Sequence, residues 1–249
     1  MNTQAQKQFN VLVVGDDCED VYQYGSIDRI SPEAPVPVFK LLYEEKRPGM
    51  AGNVARNLEA LGCTVNYLHS ETSTKTRLID IRSKQHIVRI DNDVECTPVE
   101  FVTEIPKVYD AIVVSDYDKG TITYKLIEEL IATGIPTFID TKKIDLERMQ
   151  GAWVKINEIE YSRIKTECSG LIVTKGSKGA YAPHHDLYFS APVVEVADVT
   201  GAGDTFLAAF TVKWLKNKNL TQAVQYAIKA SSITVQHGGV YAPTLMEIE

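Results

Sequence analysis

A chain of 249 residues, 44% hydrophobic and 24% charged, has enough apolar content to bury one large core. Its formal net charge of −7 argues against a general binder of nucleic acid or anionic membranes, so an anionic ligand must be met by locally placed Lys, Arg or backbone amides. No apolar run reaches membrane-spanning length, the start MNTQAQKQFN has no signal core, and Cys18, Cys63, Cys96 and Cys168 are scattered without a CxxC pair. These features read as a cytoplasmic protein with reduced thiols, without a disulfide frame or zinc site.

Val11 to Val14 is a short apolar run ending at Gly15-Asp16, which predicts a buried first strand. Residues 22–40 hold Pro32, Pro35 and Pro37 with alternating Val36 and Val38, a pattern of irregular or edge strands. Gly49 to Leu61 predicts a Gly-opened helix with Val54, Leu58 and Leu61 on one face. Residues 76–93 alternate apolar and polar about a turn-like centre, which predicts a hairpin. Ala111 to Val114 is a second buried strand, ending at Ser115-Asp116. A helix over 121–133, strands over 135–140 and 171–174, and a helix over 203–217 continue the alternation, and a helix over 221–236 closes it. The expected fold is α/β, one domain over 1–249, with a mostly parallel sheet and helices on both faces. Ligands in such folds bind beyond the carboxyl ends of the strands, where Asp16 to Asp20, Asp116, Asp140, Asn157 and Thr174 fall. The segments 22–40 and 76–93 break the alternation and are expected to form a small β-sheet that acts as a lid.

Asp198 to Phe206, DVTGAGDTF, opens the helix over 203–217. Gly201, Ala202 and Gly203 set small-residue amides at a helix N-terminus, where free N–H groups and the helix dipole suit a transferring phosphate. Asp204 stands where it can accept a proton from an attacking hydroxyl. A dinucleotide-binding reading of the same glycines fails, because they lie near the C-terminus with no following strand that ends in an acid at the required spacing. His184-His185 reads as a solvated pair in a Pro-containing loop.

With these motifs in place, the chain resembles the ribokinase/phosphofructokinase B family of carbohydrate kinases. The resemblance rests on DVTGAGD (198–204), PGMAGN (48–53) leading into a helix, NEIE (157–160) and TKGSKG (174–179), in the family's order. It implies a three-layer α/β/α ribokinase-like sheet with a β lid. A narrower likeness, to the heptose-7-phosphate kinase subgroup, lies in VGDDCEDVYQYG (14–25), RISPEAPVPVFK (29–40), RPGMAGNVARNLEALG (47–62), KTRLIDIRSKQHIVRID (75–91) and VVSDYDKGTIT (113–123). That subgroup is often fused to an adenylyltransferase, and no such second domain is expected within residues 1–249.

The resemblance implies ATP and Mg²⁺ as cofactors and Asp204 as the base, with Gly201, Ala202 and Gly203 around the γ-phosphate. It implies Asn157, Glu160, Thr174, Gly176 and Gly179 at ATP, with Glu160 meeting Mg²⁺ through water, and Asp198 and Thr200 at a monovalent cation such as K⁺. Residues 227–241 would border the adenine. On the sugar side it implies Asp20, Gly49 and Asn53, with Asp16, Asp116 and Lys119 facing the same cleft and Arg47, Arg89, Lys119 and Lys142 as cations for a substrate phosphate. The substrate implied is D-glycero-D-manno-heptose 7-phosphate, phosphorylated at O1 for cell-surface (lipopolysaccharide) heptose. Another sugar kinase, or a non-catalytic sugar- or nucleotide-binding relative, is the alternative reading. A homodimer through the lid is implied as well. Two departures stand out. Met50 replaces the second glycine of the usual pair, and residues 63–74 are too few for the further helix and strand that relatives place there.

Overall fold

The computed structural model describes residues 8–100 and 107–249; residues 1–7, part of the stretch in which no signal core was expected, lie outside it. The elements in chain order are β1 (Asn10–Gly15), β2 (Asp17–Ile30), β3 (Pro37–Gly49), α1 (Met50–Ala60), β4 (Thr64–Leu68), β5 (Thr72–Asp80), β6 (His86–Asn92), β7 (Ala111–Asp116), α2 (Tyr124–Ala132), β8 (Thr137–Thr141), β9 (Trp153–Asn157), α3 (Glu158–Tyr161), β10 (Leu171–Thr174), β11 (Ala180–Ala182), β12 (Leu187–Phe189), α4 (Ala202–Asn217), α5 (Leu220–Thr234) and α6 (Leu245–Ile248).

Eight strands form one sheet in the order β12-β11-β10-β9-β8-β7-β1-β4. Neighbours from β10 to β4 pair in parallel, and β11 and β12 pair antiparallel at the far edge. The central strands are apolar on both faces because both faces are covered. Val11 and Val13 point to the α1/α4/α5 layer, and Leu12 and Val14 to the α2 layer. In the first layer Phe138, Trp153, Phe210 and Trp214 meet edge to face, at centroid distances of 5.5–6.2 Å. Thr123 caps α2 by accepting from Leu126 N at 3.1 Å. The α/β/α architecture expected from the alternation is present. The short strands β9, β11 and β12 were not legible in it.

The second sheet, in the order β3-β2-β5-β6, is the lid. It is larger than the segments 22–40 and 76–93 suggest. β2 pairs antiparallel with β3 from Cys18 opposite Gly49 to Ile30 opposite Pro37, so the lid strands run straight into the large sheet at Gly15 and into α1 at Met50. Pro32 and Pro35 lie in the connection between β2 and β3, and Pro37 opens β3, where a missing amide is tolerated.

The 63–74 segment holds more than expected. β4 survives and pairs in parallel with β1 as the edge of the large sheet, and β5 already begins at Thr72. No helix stands between β4 and β5. Met50 sits at φ 46°, a left-handed conformation unusual for a side-chain residue, and is buried rather than facing the cleft.

Candidate active site

The site lies where β1, β7, β8, β9 and β10 end and α4 begins. Gly201 precedes α4 at φ 78°, and a Cβ there would stand 2.7 Å from Asn53 Nδ2. Glycine therefore serves both the backbone conformation and the close approach. At Gly203 a Cβ would stand 2.8 Å from Lys155 Nζ. Of the three amides expected to hold a phosphate, that of Ala202 already donates to Val199 O at 3.3 Å, so the anion-binding surface is drawn from its neighbours at the helix start.

Asp204 is buried, and both its oxygens are addressed. Asn53 Nδ2 donates to Oδ2 at 2.8 Å and the Tyr117 hydroxyl to Oδ1 at 3.1 Å. Burial pushes its carboxyl up to about 6. The Asn53 bond opposes that, Asp140 adds to it, and Lys155 and the Tyr117 bond oppose it. Asn53 was expected at the sugar; in the structure its amide donates to the base candidate. Behind it runs a buried polar chain. Asn57 donates to Asn53 O, Thr205 Oγ1 to Asn57 Oδ1, and Thr234 Oγ1 to Thr205 Oγ1, tying α1, α4 and α5.

Lys155 lies in the buried middle of β9 with its Nζ 2.5 Å from Asp140 Oδ2. Burial opposes its charge, but Asp140 more than offsets this and holds the ammonium protonated. Lys142 pairs with Glu160. Asn157 and Glu160 cap one another at the start of α3: Asn157 Oδ1 accepts from Glu160 N at 2.9 Å, and Glu160 Oε2 from Asn157 N at 2.7 Å.

A cavity of about 490 Å³ opens beside the α4 start, lined by Thr174, Gly176, Gly179, Val196, Gly203 and Ile228. Ser231, Ser232 and Val235 of α5 complete it. Ala227 is turned into the core, so the residues after it form this wall.

On the lid side Asp20 and Arg77 form a buried ion pair at 2.5 Å, and a Cβ on Gly49 would stand 2.6 Å from Asp20 Oδ2. Arg47 and Arg77 each place a guanidinium 5.2 Å from the Tyr22 ring centroid. Asp198 Oδ1 accepts from Thr200 N and Oγ1, and Oδ2 from Gly239 N. Although burial pushes the other way, these bonds hold its carboxyl below the ordinary range.

Asp16 and Asp116 are brought to the same strand ends, but their carboxylates are turned inward rather than to the cleft. Asp16 accepts from the amides of Tyr117, Lys119 and Thr121, holding that turn. Asp116 accepts from Asp118 N and Thr141 Oγ1, and burial pushes it up to about 6 against Lys143 and Thr141. Lys119 pairs with Asp93 at 2.5 Å, and Arg89 with Asp91 on the exposed lid strand β6. The sequence reading missed Tyr117, Arg77 and Lys155. Lys155 had a signal, a lone charge inside the apolar run WVKIN, since an unpaired lysine is not kept in a buried strand.

Residues 152–246, which carry β9 to α5 and the Gly201–Asp204 turn, match the pfkB family of carbohydrate kinases. This part of the chain is of the pfkB type. Its sequence relatives include the bifunctional protein HldE of Nitratiruptor sp., 35% identical over 96% of this chain and 64% of the relative, and that of Campylobacter curvus, 33% identical over 98% and 65%. The chain thus spans less than two thirds of the length of these curated relatives. The alignment to the Nitratiruptor protein runs over 300 positions, so that relative carries segments that this 249-residue chain lacks. Among solved structures, an Arabidopsis thaliana ribokinase complexed with ribose and ATP superposes with a TM-score of 0.69 at 17% identity, covering 97% of this chain and 98% of the ribokinase. Escherichia coli phosphofructokinase-2, in complex with potassium, gives 0.70 at 15% identity, covering 97% and 96%. These likenesses identify the fold as ribokinase-like.

Proposed function

We propose that this chain is an ATP-dependent sugar kinase that acts on a phosphorylated sugar, with D-glycero-D-manno-heptose 7-phosphate as the best substrate and O1 as the acceptor. The observation that carries the reading is Asp204: a buried carboxylate at a helix start, held by Asn53 and Tyr117, beside a cavity of nucleotide size. Phosphoryl transfer has a loose transition state, so positioning and charge neutralisation do most of the catalysis. In this reading Asp204 takes the proton of the sugar hydroxyl as the γ-phosphoryl group reaches the α4 start. Lys155 and Lys142 offset the charge spread over the phosphate oxygens.

Nucleotide enters the cavity between the Thr174–Gly179 turn and α5. Glu160 suits Mg²⁺ because it offers a carboxylate oxygen at the strand ends; bound Mg²⁺ supplies charge neutralisation on the phosphates. Asp198 and Thr200 are the oxygens for a monovalent cation such as K⁺. Asp20 and Gly49 receive the sugar, and the Arg47–Tyr22–Arg77 cluster gives cationic reach for a substrate phosphate. The HldE relatives support the heptose assignment and a place in heptose supply for lipopolysaccharide. The exposed Leu41, Tyr43, Val88 and Ile90 of the lid support pairing with a second copy. Reduced, buried thiols support a cytoplasmic location.

ADP release with Mg-ATP across heptose 7-phosphate, sedoheptulose 7-phosphate, fructose, fructose 6-phosphate and ribose tests this, with Asp204→Asn as the blank. Turnover confined to heptose 7-phosphate and lost in Asp204→Asn by about a thousandfold or more is expected. Turnover on a different sugar would overturn the substrate, and an active Asp204→Asn the mechanism.

A further inference from the structure

The turn over residues 117–121 lies between the lid and the ends of β7 and β8. On the lid side, Lys119 Nζ lies 2.5 Å from Asp93 Oδ2, one residue beyond β6, and Lys75 of β5 places its ammonium 5.7 Å from the Tyr117 ring centroid. Lys142, which follows β8, stands 5.3 Å from the same centroid. The backbone of the turn is fixed on Asp16, which accepts from Tyr117 N at 2.7 Å and from Lys119 N and Thr121 N at 3.3 Å. From this platform the Tyr117 hydroxyl reaches Asp204 Oδ1. Burial keeps that hydroxyl protonated, so toward the carboxylate it is the donor.

We propose that Tyr117 is a positioning residue through which the lid acts on the catalytic base: its ring is held by the lid's Lys75 and by Lys142, and its hydroxyl orients the Asp204 carboxylate. The proposal rests on the reading of Asp204 as the base. A bond donated to a carboxylate favours the ionised form, which is the form that accepts the sugar proton. When the lid lifts, Lys75 and Asp93 leave the turn, and the hydroxyl loses its fixed aim. The base is then poised only under a closed lid. The charged and titratable groups facing Asp204 are Asp140 of β8, Lys155 of β9 and Tyr117 itself. Those facing Tyr117 are Asp204, Asp140, Glu160, Lys75 and Lys142.

The test is kcat and KM across pH for the parent, Tyr117→Phe, Lys75→Met, the double variant and Asp204→Asn. Tyr117→Phe removes one oxygen and keeps the ring beneath both lysines. It should lower kcat about tenfold, move the acid limb of the profile to higher pH and leave the ATP KM within about twofold. Lys75→Met should act in the same direction by about threefold, and the double variant should be no worse than Tyr117→Phe alone. A parental kcat and acid limb in Tyr117→Phe, with Asp204→Asn inactive, overturns this proposal and leaves the kinase mechanism standing. An Asp204→Asn that turns over like the parent removes both. Multiplicative single effects, or a Lys75→Met that raises only the sugar KM, overturn the link to the lid. Should Tyr117→Phe lose its cooperative melt, Lys75→Met decides alone: an unmoved acid limb overturns the link.

Discussion

Asp204 reads in the sequence as one acid after three small residues, but its chemistry depends on its neighbours. With its carboxyl pushed up to about 6 by burial, kcat/KM should fall about tenfold per pH unit below that value, because the base is then protonated. Asn53→Ala removes the strongest bond favouring the ionised form, so the acid limb should move to higher pH and kcat near neutrality should drop. An Asn53→Ala enzyme whose only defect is a raised sugar KM would return Asn53 to the sugar site. Asp116 carries a sign of its own. A carboxyl at about 6 in the folded chain and near 4 in the unfolded chain binds more protons when folded between those values. Its contribution to stability is therefore present at low pH and lost as pH rises through about 6. Melting curves should show the Tm of Asp116→Asn improving relative to the parent from about pH 4 to pH 7. A difference that does not change with pH would contradict the raised value.

Between elements, the junction of lid and sheet is the informative place. α1 starts at Met50 in a left-handed conformation, where a glycine would relieve about 1 kcal/mol of backbone strain. The Met50 side chain is buried, however, and its removal costs about 2 kcal/mol of apolar burial. Burial wins, so Met50→Gly should lower Tm by a few degrees as read by thermal denaturation. A higher Tm would mean that strain dominates. The same balance explains why Met50 neither narrows the cleft nor disrupts the helix start. The 63–74 segment shows another balance. β4 keeps the hydrogen bonds of β1 satisfied on its outer side, so this side of the sheet stands without a helix between β4 and β5.

At the scale of the whole molecule, the lid is joined to the large sheet by β2, β3 and β5 and bears exposed apolar residues on its edge strands. If a second copy covers them, Leu41→Glu with Ile90→Lys should shift sedimentation from dimer to monomer, with melting of the single chain preserved. A parent that already sediments as a monomer would remove the lid dimer. The alternation of apolar runs and helical periods, the glycine turn before α4 and the acid at position 204 were all legible locally, because strand burial, helix entry and phosphate chemistry each leave a short-range pattern. The partners of that acid were not. Asn53 and Asp204 lie 151 positions apart, and Tyr117 and Asp204 87. Asp16 and Asp116 read as cleft residues, yet their carboxylates are occupied by amides and hydroxyls that only the folded turn brings to them. The sequence by itself determined the class of fold and the kind of chemistry at Asp204. Only the tertiary structure decided which donors set that carboxylate, because hydrogen-bond partners come from chain closure across the sheet and not from local spacing.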